Sequence, residues 1–139
     1  MRAAHHPVLA IDHGEARIGL AATDELGIAV HPAGTIVVSE NDPLSRITEI
    51  CTERRVKQLV LGLPLRTDGS EGNSAAKVRA FGERLKQALP EIPLVYSDER
   101  FTTMSASNKL REAGKSARSQ KDIIDQSAAM EILNDWLGW

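Results

Sequence analysis

The sequence predicts an α/β fold in which helices flank a five-stranded mixed sheet. Three extended segments, at residues 8–11, 18–22 and 28–38, follow one another closely and predict an antiparallel meander. Strands and helices alternate in the rest of the chain. The segment at residues 56–63, which is apolar from Leu59 onward, is predicted to be another buried strand.

The remaining segments begin at recognisable signals. Asn41 or Asp42 can cap a helix, Pro43 suits its first turn, and Pro93 opens a short strand. The predicted order after the meander is helix 43–55, strand 56–63, helix 74–89, strand 94–96 and helix 121–136. No repeat, linker or low-complexity tract interrupts this order, so we expect residues 1–139 to form a single domain.

The composition is that of an ordinary globular protein. Of the 139 residues, 42% are hydrophobic and only 4% are aromatic, so Ile, Leu, Val and Ala must build the core. The one cysteine, Cys51, cannot form an internal disulfide and is expected to be a packed thiol. The chain has no signal-peptide pattern and no apolar run near the roughly 18 residues of a membrane span. We therefore expect a cytoplasmic protein with no membrane partner.

Asp12 is the first of three acidic residues in places where a packed fold has no structural use for a charge. It follows the predicted strand at residues 8–11, where a carboxylate is costly unless it is paired, hydrogen-bonded or bound to a cation. Two interpretations stay open, a metal ligand or a cap of the following turn. Gly14 is expected to adopt unusual backbone angles in that turn, and Gly19 to allow a close backbone approach.

Asp125 is the second, and it lies in the middle of the apolar stripe of the last predicted helix. Projected at about 100° per residue, the stripe is centred on Asp125. Its other members are Ala128, Ala129, Ile132 and Trp136. Asp122 lies nearer the edge of the stripe and suits the first turn, where the helix dipole favours an anion. Asp125 is therefore the candidate for a functional role, and Asp122 for a structural one.

Glu99 is the third, and it follows the predicted strand at residues 94–96. Asp98 competes with it, but neighbouring residues in an extended segment point to opposite faces, so only one of them can face a shared site. An ordinary solvated turn is the alternative interpretation of this acidic pair.

Taken together, these segments resemble the YqgF/RuvX family, small bacterial nuclease-like proteins with the ribonuclease H fold. The resemblance runs nearly end to end and implies a ribonuclease H-like sheet, with Asp12, Glu99 and Asp125 as catalytic acids. His13 is a small departure, because an aromatic residue is common there. The motifs that carry the resemblance are Asp12-His13-Gly14 with Arg17-Ile18-Gly19, Gly62-Leu63-Pro64 with Asp68-Gly69, Asp98-Glu99-Arg100 with Thr102-Thr103, and Asp125 with Ala128-Ala129 and Ile132-Leu133.

The chemistry expected from three carboxylates is metal-assisted phosphodiester hydrolysis. Mg²⁺ or Mn²⁺ would be held by Asp12, Glu99 and Asp125, with Asp12 bridging if two ions bind. One ion would activate water and the other would stabilise the leaving oxygen. A zinc cluster is not expected, because the single cysteine and the four histidines lack a metal-ligand spacing. His5 and His6, near the terminus, are expected to be exposed.

Substrate contacts are expected from a local set of basic and polar side chains, because the net charge of −2 and the pI near 6.1 disfavour binding over the whole surface. Arg17 and Arg100 flank the acids, and the glycine-bearing loop 62–73 contains one further cation. Residues 109–121 are rich in basic residues and are expected to form a mobile loop. Solvated surface charge is the alternative for each. The predicted substrate-binding residues are Arg17, Arg66, Arg100, Thr102, Lys115 and Arg118.

The family resemblance leaves the substrate open between two nucleic acids. Processing of the 5′ end of pre-16S ribosomal RNA is the leading hypothesis, and resolution of four-way DNA junctions is the alternative. A resolvase must work as a two-fold dimer. The sequence contains no feature that indicates a dimer interface, so a monomer or weak homodimer is expected. A non-catalytic nucleic-acid-binding or ribosome-associated module is the alternative of another class, although such a protein gains nothing from buried acids that face a polyanion.

Overall fold

The computed structural model describes residues 6–99 and 117–138, with side chains in the second range from residue 124 onward. Its strands and helices follow the predicted order, and their ends differ from the predicted ends by a few residues. The elements are β1 (Val8–His13), β2 (Arg17–Thr23), β3 (Val30–Val37), α1 (Pro43–Arg54), β4 (Gln58–Leu63), α2 (Asn73–Ala88), β5 (Leu94–Asp98) and α3 (Ala117–Leu137).

The five strands form one mixed sheet in the order β3-β2-β1-β4-β5. Strand β2 pairs antiparallel with both β1 and β3, while β4 pairs parallel with both β1 and β5. The predicted meander and mixed sheet are therefore confirmed. Because β1, β4 and β5 run in the same direction, their carboxyl ends meet at one edge of the sheet, which is where ligands commonly bind in such folds.

Helices cover both faces of the sheet, and each face has its own core. Leu9 and Ile11 of β1 face α1 and α2, whereas Val8 and Ala10 face α3. This alternation follows from the two-residue period of a strand. It also means that Asp12, the next residue of the Val8 and Ala10 series, belongs to the face that α3 covers.

Helix α3 begins earlier than predicted, and this corrects one expectation about the basic strip. Residues 117–121 are helical, so Arg118 lies on α3 and not in a mobile loop. No glycine or proline follows Gly114 before the helix, and Ala, Arg, Gln and Lys are good helix formers. The part of the strip before Ala117, including Lys115, lies outside the described residues.

Two local expectations near β1 are also corrected. His6 is half-buried, because its Nδ1 lies 2.7 Å from Oγ1 of Thr23, which also accepts a hydrogen bond from the Val8 amide at 2.9 Å. Gly14 does not have a left-handed φ. It is required for space, since a Cβ there would lie 2.6 Å from the carbonyl oxygen of Arg17.

Two further structural expectations, the cap of α1 and the packed thiol, are confirmed. Asp42 caps α1 by accepting a hydrogen bond from the Ser45 amide at 3.0 Å, and Pro43 occupies the first turn. Cys51 is a buried free thiol, and burial raises its pKa to about 11. Among the helices of the described residues, none combines the length and apolar character needed to cross a bilayer.

Candidate active site at the carboxyl edge of the sheet

Asp12 and Glu99 are brought to the same face and the same edge of the sheet by the strand register. Asp12 lies near the end of β1 on the α3 side. Glu99 follows β5 and continues its pairing, because its amide donates to the carbonyl oxygen of Leu63 at 3.0 Å. It continues the alternation of Val95 and Ser97, and Val95 packs in the α3 core. Two acids that are 87 positions apart in the sequence therefore become neighbours.

Both acids line one cavity of about 300 Å³ at this edge. Gly62, at the end of β4, lies between the two strands that carry them. A Cβ at Gly62 would lie 3.1 Å from Cγ of Glu99 and 2.5 Å from Cδ1 of Ile132, so glycine makes room for the acid. The cavity is lined by Asp12, His13, Gly14, Gly62, Pro64, Ser74 and Glu99.

Asp125 reaches this region because α3 packs directly on β2. A Cβ at Gly19 would lie 1.9 Å from the carbonyl oxygen of Asp125, so the two backbones touch where a side chain is absent. Gly19 is the β2 residue that pairs with Asp12 of β1. The close approach predicted for Gly19 is confirmed, and it places the third acid beside the first.

The Asp125 carboxylate forms an ion pair with Arg17. Nε of Arg17 donates to Oδ2 of Asp125 at 2.8 Å, and the two side chains are 21% and 20% exposed. Arg17 lies two residues before Gly19 on β2, so its side chain is on the same face of the sheet. The arginine expected to contact a phosphate thus binds a carboxylate in this structure.

The carboxyl group of Asp12 has a strongly perturbed pKa. Burial, and secondarily the nearby charge of Asp125, raise the pKa of Asp12 from 3.8 to about 6. Both causes disfavour the ionised form, and both would be reversed by a cation in contact with the carboxylate. The side chain therefore has the character of a ligand more than that of a turn cap, which would lower the pKa.

The raised pKa of Asp12 predicts how the stability of the metal-free protein changes with pH. Between pH 4 and pH 6 the folded protein keeps a proton that the unfolded chain has released, so the free energy of unfolding falls as pH rises through this range. Raising the pKa of Asp12 from 3.8 to about 6 lowers the free energy of unfolding at neutral pH by about 3 kcal/mol. An Asp12→Asn variant has no such loss.

Urea denaturation of the two proteins in EDTA, between pH 3.5 and pH 7.5, measures this difference. We expect similar stability at the acidic end and a more stable variant at neutral pH. A stability difference between the two proteins that does not change with pH would contradict the raised pKa of Asp12.

His13 lies on the opposite side of β1 from Asp12, at the margin of the cavity. Its ring packs on Phe81 of α2, with the ring centroids 4.5 Å apart. Burial lowers the pKa of His13, so the imidazole is neutral at pH 7. His13 therefore adds shape to the cavity wall and no positive charge that would compete with a cation.

The alternation of β5 places Asp98 and Glu99 on opposite faces of the sheet. Asp98 is exposed and lies on the other face, with the Tyr96 side chain. Glu99 is half-buried in the cavity, where Oγ of Ser97 donates to its Oε1 at 3.0 Å. Sequence reasoning missed Ser97, although the alternation of Val95, Ser97 and Glu99 could have identified it.

Comparison with known proteins agrees with this architecture. The family described as RuvX, Holliday junction resolvase, matches residues 6–138. The chain belongs to the RuvX family. The nuclease class predicted from the sequence is thereby confirmed at the level of the family.

Curated relatives of this RuvX-family chain carry the name "Putative pre-16S rRNA nuclease". The protein of Nocardia farcinica is 40% identical over 136 residues, covering 93% of this chain and 76% of its own length. That of Cutibacterium acnes is 42% identical over 125 residues, with 90% and 78% covered. That of Synechococcus elongatus is 40% identical over 134 residues, with 96% and 89% covered.

Solved structures confirm the ribonuclease H-like fold of the RuvX-family chain. Thermus thermophilus RuvC in complex with a Holliday junction substrate superposes with a TM-score of 0.54 at 16% identity. The alignment covers 94% of this chain and 96% of RuvC. At this low identity the likeness concerns the fold alone.

The structure describes some of the other residues that the sequence predicted for the RuvX-family site. Arg66 is exposed on the loop after β4, where it packs beside Gly72 and its Nη1 donates to Oγ of Ser70 at 3.4 Å. It lines a neighbouring cavity that shares Pro64 and Ser74 with the first, so it lies at the same edge of the sheet. Three substrate-binding candidates fall outside the described residues, namely Arg100, Thr102 and Lys115. For Arg118, as for Asp122, only the helical backbone is described.

The described residues of this RuvX-family protein do not form a preassembled metal site of three ligands. Within residues 6–99 and 124–138, no three His, Cys, Asp or Glu side chains stand close enough together to enclose a metal ion. Asp12 and Glu99 share the cavity, while Asp125 lies beside Asp12 and is engaged by Arg17. Metal binding therefore remains a proposal.

Proposed function

We propose that this RuvX-family protein is a divalent-metal-dependent nuclease whose chemistry takes place at Asp12, Glu99 and Asp125. The observation that carries the proposal is the state of Asp12. Its carboxylate is half-buried, shares a cavity with a second acid and lies beside a third, and its pKa is raised to about 6. An acid kept in such surroundings at a cost in stability is typical of a functional site.

The donor set fits Mg²⁺ or Mn²⁺. Carboxylate oxygens are the ligands that these hard cations prefer, and few protein ligands are needed because water and substrate phosphates complete the coordination. The two factors that raise the pKa of Asp12, burial and the charge of Asp125, are both offset by a cation in this place. A bound cation would supply charge neutralisation at the scissile phosphate and would lower the pKa of the attacking water.

The residues of the chain have distinct tasks in this proposal. Asp12, Glu99 and Asp125 hold the cation, and Ser97 orients Glu99 through its hydrogen bond. Gly62 leaves room on β4 for the Glu99 side chain, and the cavity beside it gives a phosphodiester backbone access to the acids. Arg66, exposed at the same edge, contacts a phosphate further along the strand.

We propose pre-16S ribosomal RNA as the substrate, and a four-way DNA junction as the second candidate. The names of the curated relatives support the first, and the description of the family and the RuvC complex support the second. Junction resolution needs a two-fold dimer with an interface of about 800 Å² on each subunit. Leu26 and Ile28 are the large hydrophobic residues exposed in the described part of the chain, and both lie in one short loop. So small an apolar patch favours the RNA substrate.

A side-by-side cleavage assay tests the proposal. The protein is incubated with a pre-16S leader fragment and with a four-way DNA junction, in Mg²⁺, in Mn²⁺ and in EDTA. We expect cleavage of the RNA only, and no cleavage in EDTA.

Symmetric cleavage of the junction would replace the RNA assignment with a resolvase. If well-folded protein cleaves neither substrate but binds one of them, the nuclease proposal fails and a nucleic-acid-binding module takes its place.

A further inference from the structure

The ion pair between Arg17 and Asp125 joins a strand to the helix that carries a proposed metal ligand. The two residues are 108 positions apart, and the 2.8 Å bond from Nε to Oδ2 is of the charge-assisted kind. Each side chain is about one-fifth exposed. The pair is therefore more shielded from water and from screening ions than an ordinary surface ion pair.

We propose that Arg17 is a positioning residue for Asp125, one that fixes this carboxylate for metal binding and does not contact a substrate phosphate. The inference rests on the proposed function, because it takes Asp125 as a metal ligand. It replaces the role that the sequence suggested for Arg17.

Strand β2 fixes Asp125 at two points. Gly19 contacts the main chain of Asp125, and Arg17, two residues earlier on the same face, binds the side chain. Asp12 pairs with Gly19 on the neighbouring strand. The distance from Asp12 to the Asp125 carboxylate is therefore set by one short piece of β2, and the arginine removes the rotational freedom that this carboxylate would otherwise have.

Electrostatics favours the same role. Asp12 and Asp125 lie beside each other, because Gly19 pairs with Asp12 and contacts the main chain of Asp125, so their two negative charges repel each other. A guanidinium bound to Asp125 offsets part of this repulsion and so favours a conformation in which the two carboxylates are neighbours. The bond uses Oδ2, and a carboxylate has lone pairs on its second oxygen for a cation.

A phosphate contact by Arg17 is disfavoured by the same geometry. Nε is committed to Asp125, and the positive charge is largely balanced by that carboxylate. A phosphate could bind only the remaining Nη donors, and its negative charge would then lie close to the Asp125 carboxylate that Nε already binds at 2.8 Å. Arg66, which is exposed on a loop, has no such restriction and serves as the matched arginine for comparison.

The test compares Arg17→Gln with Arg66→Gln in two binding measurements that do not depend on turnover. The first is Mn²⁺ binding to the protein without nucleic acid, followed by electron paramagnetic resonance. The second is the salt dependence of RNA binding, measured with Ca²⁺ in place of Mg²⁺. Arg17→Lys, which keeps the charge but not the planar fork, is measured alongside, and circular dichroism checks the fold of each variant.

We expect Arg17→Gln to weaken Mn²⁺ binding by about 10- to 100-fold, as is typical for residues that orient metal ligands, with an unchanged salt slope. Arg66→Gln should bind Mn²⁺ as the wild type does and lower the salt slope by about one. Arg17→Lys should recover part of the metal affinity, because a lysine keeps the charge beside Asp125.

Wild-type Mn²⁺ affinity in Arg17→Gln would overturn the inference, and a lower salt slope in the same variant would make Arg17 a phosphate contact. If Arg17→Gln does not fold, Arg17→Lys decides, and Mn²⁺ affinity within twofold of the wild type overturns the inference. Failure of the proposed function has a different signature. In that case the wild type itself does not bind Mn²⁺, or Asp12→Asn binds it equally well.

Discussion

Replacing Asp12 with asparagine is expected to lower the cleavage rate by at least about a thousandfold, which corresponds to about 4 kcal/mol of transition-state stabilisation. Asn has nearly the same size and shape, so the cavity that Asp12 shares with Glu99 keeps its form. What is lost is a negative oxygen in the half-buried position where the proposed cation would offset the charges of Asp12 and Asp125. Single-turnover cleavage at saturating enzyme and metal measures the loss without contributions from binding or product release.

The matched control for this variant is Asp98→Asn. Asp98 is also an aspartate at the carboxyl edge, but it is exposed and lies on the other face of β5 from Glu99. We expect its cleavage rate to stay within about threefold of the wild type, since exposed substitutions away from a site have small effects. Equal losses in the two variants would mean that overall negative charge, and not a ligand at Asp12, is what cleavage requires.

Replacing Gly19 with alanine is expected to destabilise the fold by at least about 3 kcal/mol and to abolish cleavage. The added Cβ would lie 1.9 Å from the carbonyl oxygen of Asp125 and 2.9 Å from its Cα. Both atoms belong to the backbone of α3, so no side-chain rotation relieves the clash and the helix must move away from β2. Urea denaturation measures the stability, and the cleavage assay measures whether Asp125 keeps its place beside Asp12.

Gly72→Ala is the matched control for the Gly19 substitution. Gly72 has a φ of −110°, which alanine adopts without strain, and the atoms nearest to its Cβ are those of the Arg66 guanidinium at 3.1 Å. The end of a long exposed side chain can move aside, so we expect a change of less than about 1 kcal/mol. A Gly19→Ala protein as stable as Gly72→Ala would show that β2 and α3 are not in close contact in solution.

The fold was predictable because each element depends on short-range patterns. The continuous apolar run of β1 and the caps of α1 are properties of neighbouring residues, and they place Asp12 near a strand end and Asp42 at a helix start. The helical period of α3 places Asp125 in the apolar stripe with Ala129 and Ile132, which are buried on the sheet. The start of α3 was mispredicted because a sequence rich in serine and basic residues suits a loop and a helix almost equally.

For the site, the sequence by itself determined which acids are candidates, and the tertiary structure decided what surrounds them. The sequence alone identifies Asp12, Glu99 and Asp125, because each places a carboxylate at the end of a strand or within an apolar stripe, where an apolar side chain is expected. The partner of Asp125 does not follow from such a rule. Arg17 can reach a carboxylate 108 positions away only because β2 and α3 pack in one particular register. Side-chain pairing across such a distance depends on packing between elements, and no period within either element encodes it.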